Sequence, residues 1–152
     1  MSKTNAIRLL EKEGIAYRVV PYTYNADNLD VAKIAADNGL ALAQVFKTLV
    51  CKGDKTGIVV AVIPGDQQLD LKTLAQASGN KKIALLPMGE LQAATGYMRG
   101  GCSPIGMKKN YPVYLDRAAE PWDEILINAG ARGLLFAAHP VSIVSAFGME
   151  WM

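Results

Sequence analysis

"VFKTLVCKGDKTGIVVAVIPG", residues 45–65, reads as two β-strands folded back on each other. Phe46, Leu49, Val50 and Cys51 crowd the first half, and the second, from Gly57, has scarcely a polar residue. "GDKT" between them is turn chemistry, so strands over 46–52 and 57–63 form an antiparallel hairpin. The unbroken apolar run of the second strand predicts burial on both faces. One residue resists this picture. Alternation along the strand places Lys47 with Leu49 and Cys51 on one face, and Phe46, Thr48 and Val50 on the other. Two readings stay open for that lysine. Its stem can pack on apolar surface while the ammonium reaches water. Alternatively the charge points into a pocket, where it stabilises negative charge on a bound oxygen.

Outward from the hairpin the periodicity changes. Residues 4–13 carry Ala6, Ile7, Leu9 and Leu10 on one side and stop at Gly14, which predicts a helix. "AYRVVPY" (16–22) is a strand by composition, and 29–38 a helix closed by Gly39. A helix over 69–79 takes Asp70 as its N-cap, and another over 87–96 opens at Pro87. Strands are predicted at 112–115, 124–128 and 134–138, and a last helix at 140–148. Helices and strands mix without strict βαβ alternation. The class is α+β with a mixed sheet, in a single domain spanning 1–152.

Composition narrows the chemistry. The chain has 51% hydrophobic and 20% charged residues, which excludes a disordered chain. A net charge of +2 does not by itself require nucleic acid, although local basic clusters can bind phosphate. Two cysteines without a CxxC pair, and one histidine, fall short of the roughly four ligands of a structural zinc site. No acidic cluster suits Mg²⁺, so no cofactor is expected. Neither a signal-type apolar run nor a stretch near the roughly 20 residues of a membrane span occurs. A cytoplasmic protein with reduced thiols is the expectation.

Three stretches hold candidate chemistry. "GGCSPIG" (100–106) can present backbone N–H groups to a ligand, or be an ordinary loop. "NAGARG" (128–133) offers a second backbone-exposing turn beside Arg132. Arg99, Lys108 and Lys109, with Lys81 and Lys82, form a basic rim for a phosphate backbone if they share a face, and a solvated surface if they do not. Ser103, His139 and Asp116 can be written as a triad, but no nucleophile elbow precedes the serine. Cys51 reads as a buried small hydrophobe, and Cys102 as the better candidate for a reactive thiol.

Taken together, "LLEKEGIAYRVVPY" (9–22), "QVFKTLV" (44–50), "AVIPGDQQLDLKTLA" (61–75), "TGYMRGGCSPIGMKK" (95–109) and "INAGARGL" (127–134) resemble the YbaK/EbsC-type aminoacyl-tRNA deacylases. These are relatives of the editing domain of bacterial prolyl-tRNA synthetases. The segments follow the family's order and span nearly the whole chain.

The resemblance implies a mixed, barrel-like sheet flanked by helices. It also implies hydrolysis of the ester joining a misplaced amino acid, cysteine in the best-known branch, to a tRNA, usually that for proline. Mischarged tRNA is then the partner, with prolyl-tRNA synthetase a possible second. The family's essential lysine falls on Lys47, and its neighbouring threonine on Thr48. The substrate loop falls on Gly100, Gly101, Cys102 and Ser103, and a strand-end tyrosine on Tyr22. Asn128 and Gly130 join the substrate-binding set, and Arg99, Lys108, Lys109 and Arg132 the tRNA contacts. Asn128 stands where the cysteine branch has serine, and Leu135 where it has aspartate. The segment 23–30 is shortened and lacks that branch's phenylalanine, with Leu29 or Asp30 in its place. These departures keep a second reading in view, a catalytically silent module that binds tRNA or synthetase. A third, a small-nucleotide hydrolase, has weaker grounds.

Overall fold

The computed structural model describes residues 3–152. Its centre is the predicted hairpin: β2 (Val45–Gly53) and β3 (Gly57–Pro64) pair antiparallel, Phe46 opposite Pro64 and Gly53 opposite Gly57. Asn80 locks the turn. Its Oδ1 accepts from the N–H groups of Lys55 (2.9 Å) and Thr56 (3.0 Å), and its Nδ2 donates to the hydroxyls of Thr56 and Ser78 (both 2.8 Å). A side chain this buried stays polar only because all four bonds are made.

The rest of the sheet assembles on this pair. In chain order the remaining strands are β1 (Tyr17–Pro21), β4 (Ile83–Leu85), β5 (Val113–Leu115), β6 (Ile125–Ala131), β7 (Leu134–Ala138) and β8 (Glu150–Trp151). The order across the sheet is β1-β7-β6-β2-β3-β5-β8, with β4 also on β2. The β2–β6, β3–β5 and β5–β8 pairs are parallel and the others antiparallel, so the sheet is mixed.

The sheet wraps one core, built from Phe46, Val50, Val60, Val62, Leu115, Ile125, Ile127 and Phe136. The helix α1 (Asn5–Lys12) plugs it with Ala6, Ile7 and Leu10. On the outer face, α2 (Val31–Asp37) covers Val45, Leu126 and Leu135 through Ile34, while α3 (Leu71–Ser78) covers Cys51, Val59 and Ala61 through Leu74. Both faces of β3 are thereby buried, as its composition predicts.

Two differences from the sequence reading have physical causes. The helix predicted over 87–96 is shorter: α4 spans only Leu91–Thr95, after a 3₁₀ turn at Met88–Glu90. Pro87 has an extended ψ of 137°, so it precedes the turn instead of opening a helix. The strands β4 and β8 were not anticipated; at three and two residues they are too short to show a period. Asp70 caps α3 as expected. The last helix, α5 (Pro140–Phe147), takes His139 as its cap.

Asn80→Ala should strand two backbone donors of the hairpin turn. Urea unfolding is expected to show a loss of about 2–3 kcal/mol, and a change below about 0.5 kcal/mol would mean that the turn does not depend on this side chain.

Candidate functional site

Strand β2 has a different neighbour along each part of its second edge. β6 runs parallel to it only at Val45–Phe46, opposite Leu126 and Ile127. β4 joins only from Cys51. Between the two, Lys47 to Val50 keep β3 on one side and lack a strand on the other. Past Ile127 β6 no longer pairs with β2, and its ladder with β7 is interrupted by a bulge between Asn128 and Ala131. The two parallel strands thus part after Phe46, near the start of β2, and Ile127, and a cavity of about 320 Å³ opens in the fork. Lys47 and Thr48 line one side, Asn128 another, and Tyr22, Arg99, Gly100 and Cys102 close it.

The glycine-rich loop fits because it lacks side chains at two places. Gly100 has φ +79°, and a Cβ there would sit 2.9 Å from Leu29 Cδ1. At Gly101 a Cβ would sit 3.0 Å from the backbone nitrogen of Arg132. The loop therefore lies against the bulge of β6. Gly101 N–H is taken by the Met98 carbonyl (2.9 Å), whereas the N–H groups of Gly100 and Cys102 have no hydrogen-bond acceptor among the described residues.

Lys47 is half-buried, and its Nζ lies 3.4 Å from the Gly65 carbonyl oxygen. The ion pairs of the described residues engage Lys3, Arg18, Lys33 and Arg117, and leave Lys47, Arg99 and Arg132 without a carboxylate partner. Lys47 thus lines the cavity as a cation whose hydrogen-bond partner among the described residues is a carbonyl oxygen. Beside it, Thr48 Oγ1 is enclosed and has no hydrogen-bond partner, an arrangement that a bound polar group can complete. Burial pushes the Tyr22 phenol above its ordinary pKa, so it is a neutral donor, 3.4 Å from the Gly100 carbonyl.

Several candidates lie elsewhere. Ser103 is fully buried outside the cavity wall, and its Oγ accepts from Ile105 N–H. His139 Nδ1 caps α5, and Asp116 caps the 3₁₀ turn at Arg117–Ala119, so each member of the written triad serves its own turn. Gly130 N–H donates to Asn128 Oδ1 (2.7 Å) within the bulge. The basic rim divides. Arg132 Nε donates to the Arg99 carbonyl (2.8 Å) beside the cavity, whereas Lys108 Nζ donates to Ala93 and Lys109 lines other grooves.

Sequence reasoning missed much of the wall. Val31 and Ile34 from α2, with Met88 and Leu91, complete it from distant elements, and no local pattern marks them. Leu29 and Leu135, both at departures from the cysteine branch, are in the wall as well, and Asp30 is its one carboxylate among the described residues.

A family description, "Aminoacyl-tRNA editing domain", matches residues 26–144. The chain belongs to the aminoacyl-tRNA editing family. Among curated relatives of this editing domain, "Putative Cys-tRNA(Pro)/Cys-tRNA(Cys) deacylase EbsC" of Enterococcus faecalis is 48% identical over 143 residues, covering 94% of this chain and 87% of that one. "Multifunctional Ser/Thr-tRNA deacylase ProXp-y" of Escherichia coli K12 is 34% identical, covering 82% of this chain and 75% of that one. A crystal structure described as "a putative trans-editing enzyme for prolyl tRNA synthetase" superposes with TM-score 0.82 at 26% identity, covering 100% of this chain and 97% of that one.

In this editing domain burial pushes the Cys102 thiol up to about 11, against a smaller downward pull from Thr95. The raised value keeps it protonated near neutrality, so it is a poor nucleophile. Alkylation of Cys102 by iodoacetamide, followed by mass spectrometry, should run about 100-fold slower at about pH 7.5 than for an ordinary exposed cysteine, and accelerate about tenfold per pH unit above that. A rate equal to that of a free thiol would show a thiolate in the site.

Proposed function

We propose that this protein is a trans-editing deacylase that hydrolyses the ester of mischarged tRNA, with Cys-tRNA(Pro) as its first substrate. The carrying observation is the fork between β2 and β6, where an uncompensated lysine and two open backbone N–H groups border one cavity. An aminoacyl ester is already activated. Its cleavage needs orientation and stabilisation of the tetrahedral oxyanion more than a strong protein nucleophile. The raised thiol pKa of Cys102 agrees with attack by water, or by the thiol of a cysteinyl substrate itself.

In this reading Lys47 holds the phosphate or ribose of the terminal nucleotide and offsets charge at the reacting end. Gly100 and Cys102 donate to the carbonyl oxygen, and Thr48 Oγ1 pairs with a polar group of the bound end. Arg99 and Arg132 meet phosphates at the mouth. The relatives' printed activities support the ester and the tRNA, and the names that print tRNA(Pro) or prolyl tRNA synthetase support tRNA for proline as the carrier; contact with the synthetase and a cytoplasmic setting are part of the proposal. Among the described residues no helix is long and apolar enough to cross a membrane.

A silent binding module is the alternative, kept in view by Asn128 and Leu135, two wall residues that depart from the cysteine branch. Turnover separates the two. Cysteinyl, alanyl, seryl and prolyl esters on tRNA for proline should be incubated with wild-type protein and with Lys47→Ala, folding being checked by circular dichroism. Wild type should release the mispaired amino acid, and the folded variant should be about 10²–10³ slower. Full activity of a folded Lys47→Ala would remove the lysine from the mechanism, and no release by wild type from any ester would leave the binding reading.

A further inference from the structure

The bulge of β6 and the turn that follows it carry two side chains that reach the glycine loop. Asn128 Oδ1 accepts from the N–H groups of Gly130 (2.7 Å) and Ala131 (3.2 Å). Both donors are main-chain, so the orientation of the carboxamide is fixed and its NH₂ must face the other way. There it donates to the Gly100 carbonyl at 2.9 Å, with longer approaches to the Ala131 carbonyl (3.3 Å) and the Tyr22 hydroxyl (3.4 Å). Four residues on, Arg132 Nε donates to the Arg99 carbonyl at 2.8 Å. Two consecutive loop carbonyls are therefore held by the end of β6 and the turn after it.

A trans peptide points its N–H opposite to its C=O. Drawing the Gly100 carbonyl to Asn128 turns the N–H of Gly101 away, where Met98 accepts it at 2.9 Å. Holding the Arg99 carbonyl on Arg132 turns the N–H of Gly100 away from the bulge, and that N–H is one of the two without an acceptor. We infer that Asn128 is a positioning residue, which with Arg132 holds the 99–101 backbone so that Gly100 N–H is presented to the reacting carbonyl. Its amide has little capacity left for a substrate, because its oxygen holds two donors and its nitrogen three acceptors. The catalytic part rests on the deacylase reading; the latch itself rests on the geometry alone.

Asn128→Asp tests it. The near-isosteric carboxylate keeps an acceptor for Gly130 and Ala131 but sets an oxygen against the Gly100 carbonyl. The expected result is kcat for deacylation down at least about tenfold with KM within about threefold, since a small displacement at a reacting centre acts mainly on rate. Amide exchange across 98–103 in the free protein should also run at least about tenfold faster than in wild type, as that segment opens locally. A direct substrate contact would instead raise KM and leave loop exchange unchanged, and that result overturns the inference. Should Asn128→Asp fail to fold, Arg132→Lys keeps the positive charge but loses the Nε bond. It should still quicken loop exchange and lower kcat about threefold, and unchanged exchange there overturns the latch. Wild type without turnover would sink the deacylase reading alone, because loop exchange reads the latch independently.

Discussion

Everything in the site depends on β2 and β6 ceasing to pair after Phe46 and Ile127. Up to that point they are parallel neighbours in a continuous sheet. One residue further, Lys47 and Asn128 would face each other across a ladder, and instead they face each other across a cavity. The break coincides with a local feature of β6. Asn128 takes the N–H groups of Gly130 and Ala131 onto its own side chain, so those amides no longer serve a neighbouring strand. Buried backbone groups need partners, and here the bulge supplies them without closing the sheet.

The fork also sets the electrostatics. Phe46 and Val50 hold β2 in the core, which fixes its backbone on both sides of the gap. Lys47 starts from that fixed backbone, and its half-buried side chain sets the ammonium 3.4 Å from the Gly65 carbonyl. Two unpaired carriers of positive charge, Lys47 and Arg99, share a wall with one exposed carboxylate, Asp30. Such a wall suits a guest whose phosphate and ester oxygens are negative or become so. Charges act more strongly there than in open water, because the surrounding wall is largely apolar.

The sequence made the hairpin legible because composition and period agree: a run of β-branched residues, a four-residue turn and a second run. The caps at Asp70 and the stops at Gly14 and Gly39 were legible for the same reason, each being a local signal. The fork was not. It arises where one strand exchanges neighbours, β6 for β4, and those neighbours lie 30 or more residues from it in the chain. Lys47 marked the place as an anomaly, a charge within an apolar strand, but its two readings could be separated only by knowing what lay across the gap. Asn128 was visible as a departure from the cysteine branch, yet its hydrogen bonds to Gly100 span 28 positions and no periodicity encodes them. The short β4 and β8 exist only because β2 and β5 offer edges to pair with.

The same wall limits how the proposed reaction can be selective. Leu29, Val31, Ile34 and Leu135 give it an apolar side that can exclude bulk. One methylene in such a pocket is worth only about 1–3 kcal/mol, and a hydroxyl added to an isostere is rejected weakly. Strong discrimination needs a polar group in the wall that the wrong substrate leaves unpaired. The Asn128 amide is spent on Gly100 and the bulge, and Tyr22 already approaches Gly100. Thr48 Oγ1 is the enclosed side-chain hydroxyl with a free valence. Apart from that hydroxyl, a pocket so equipped separates cysteine from alanine or serine poorly by binding. On the deacylase reading, the distinction between them then falls to the chemical step, where a thiol carried by the substrate can attack its own ester and a methyl group cannot.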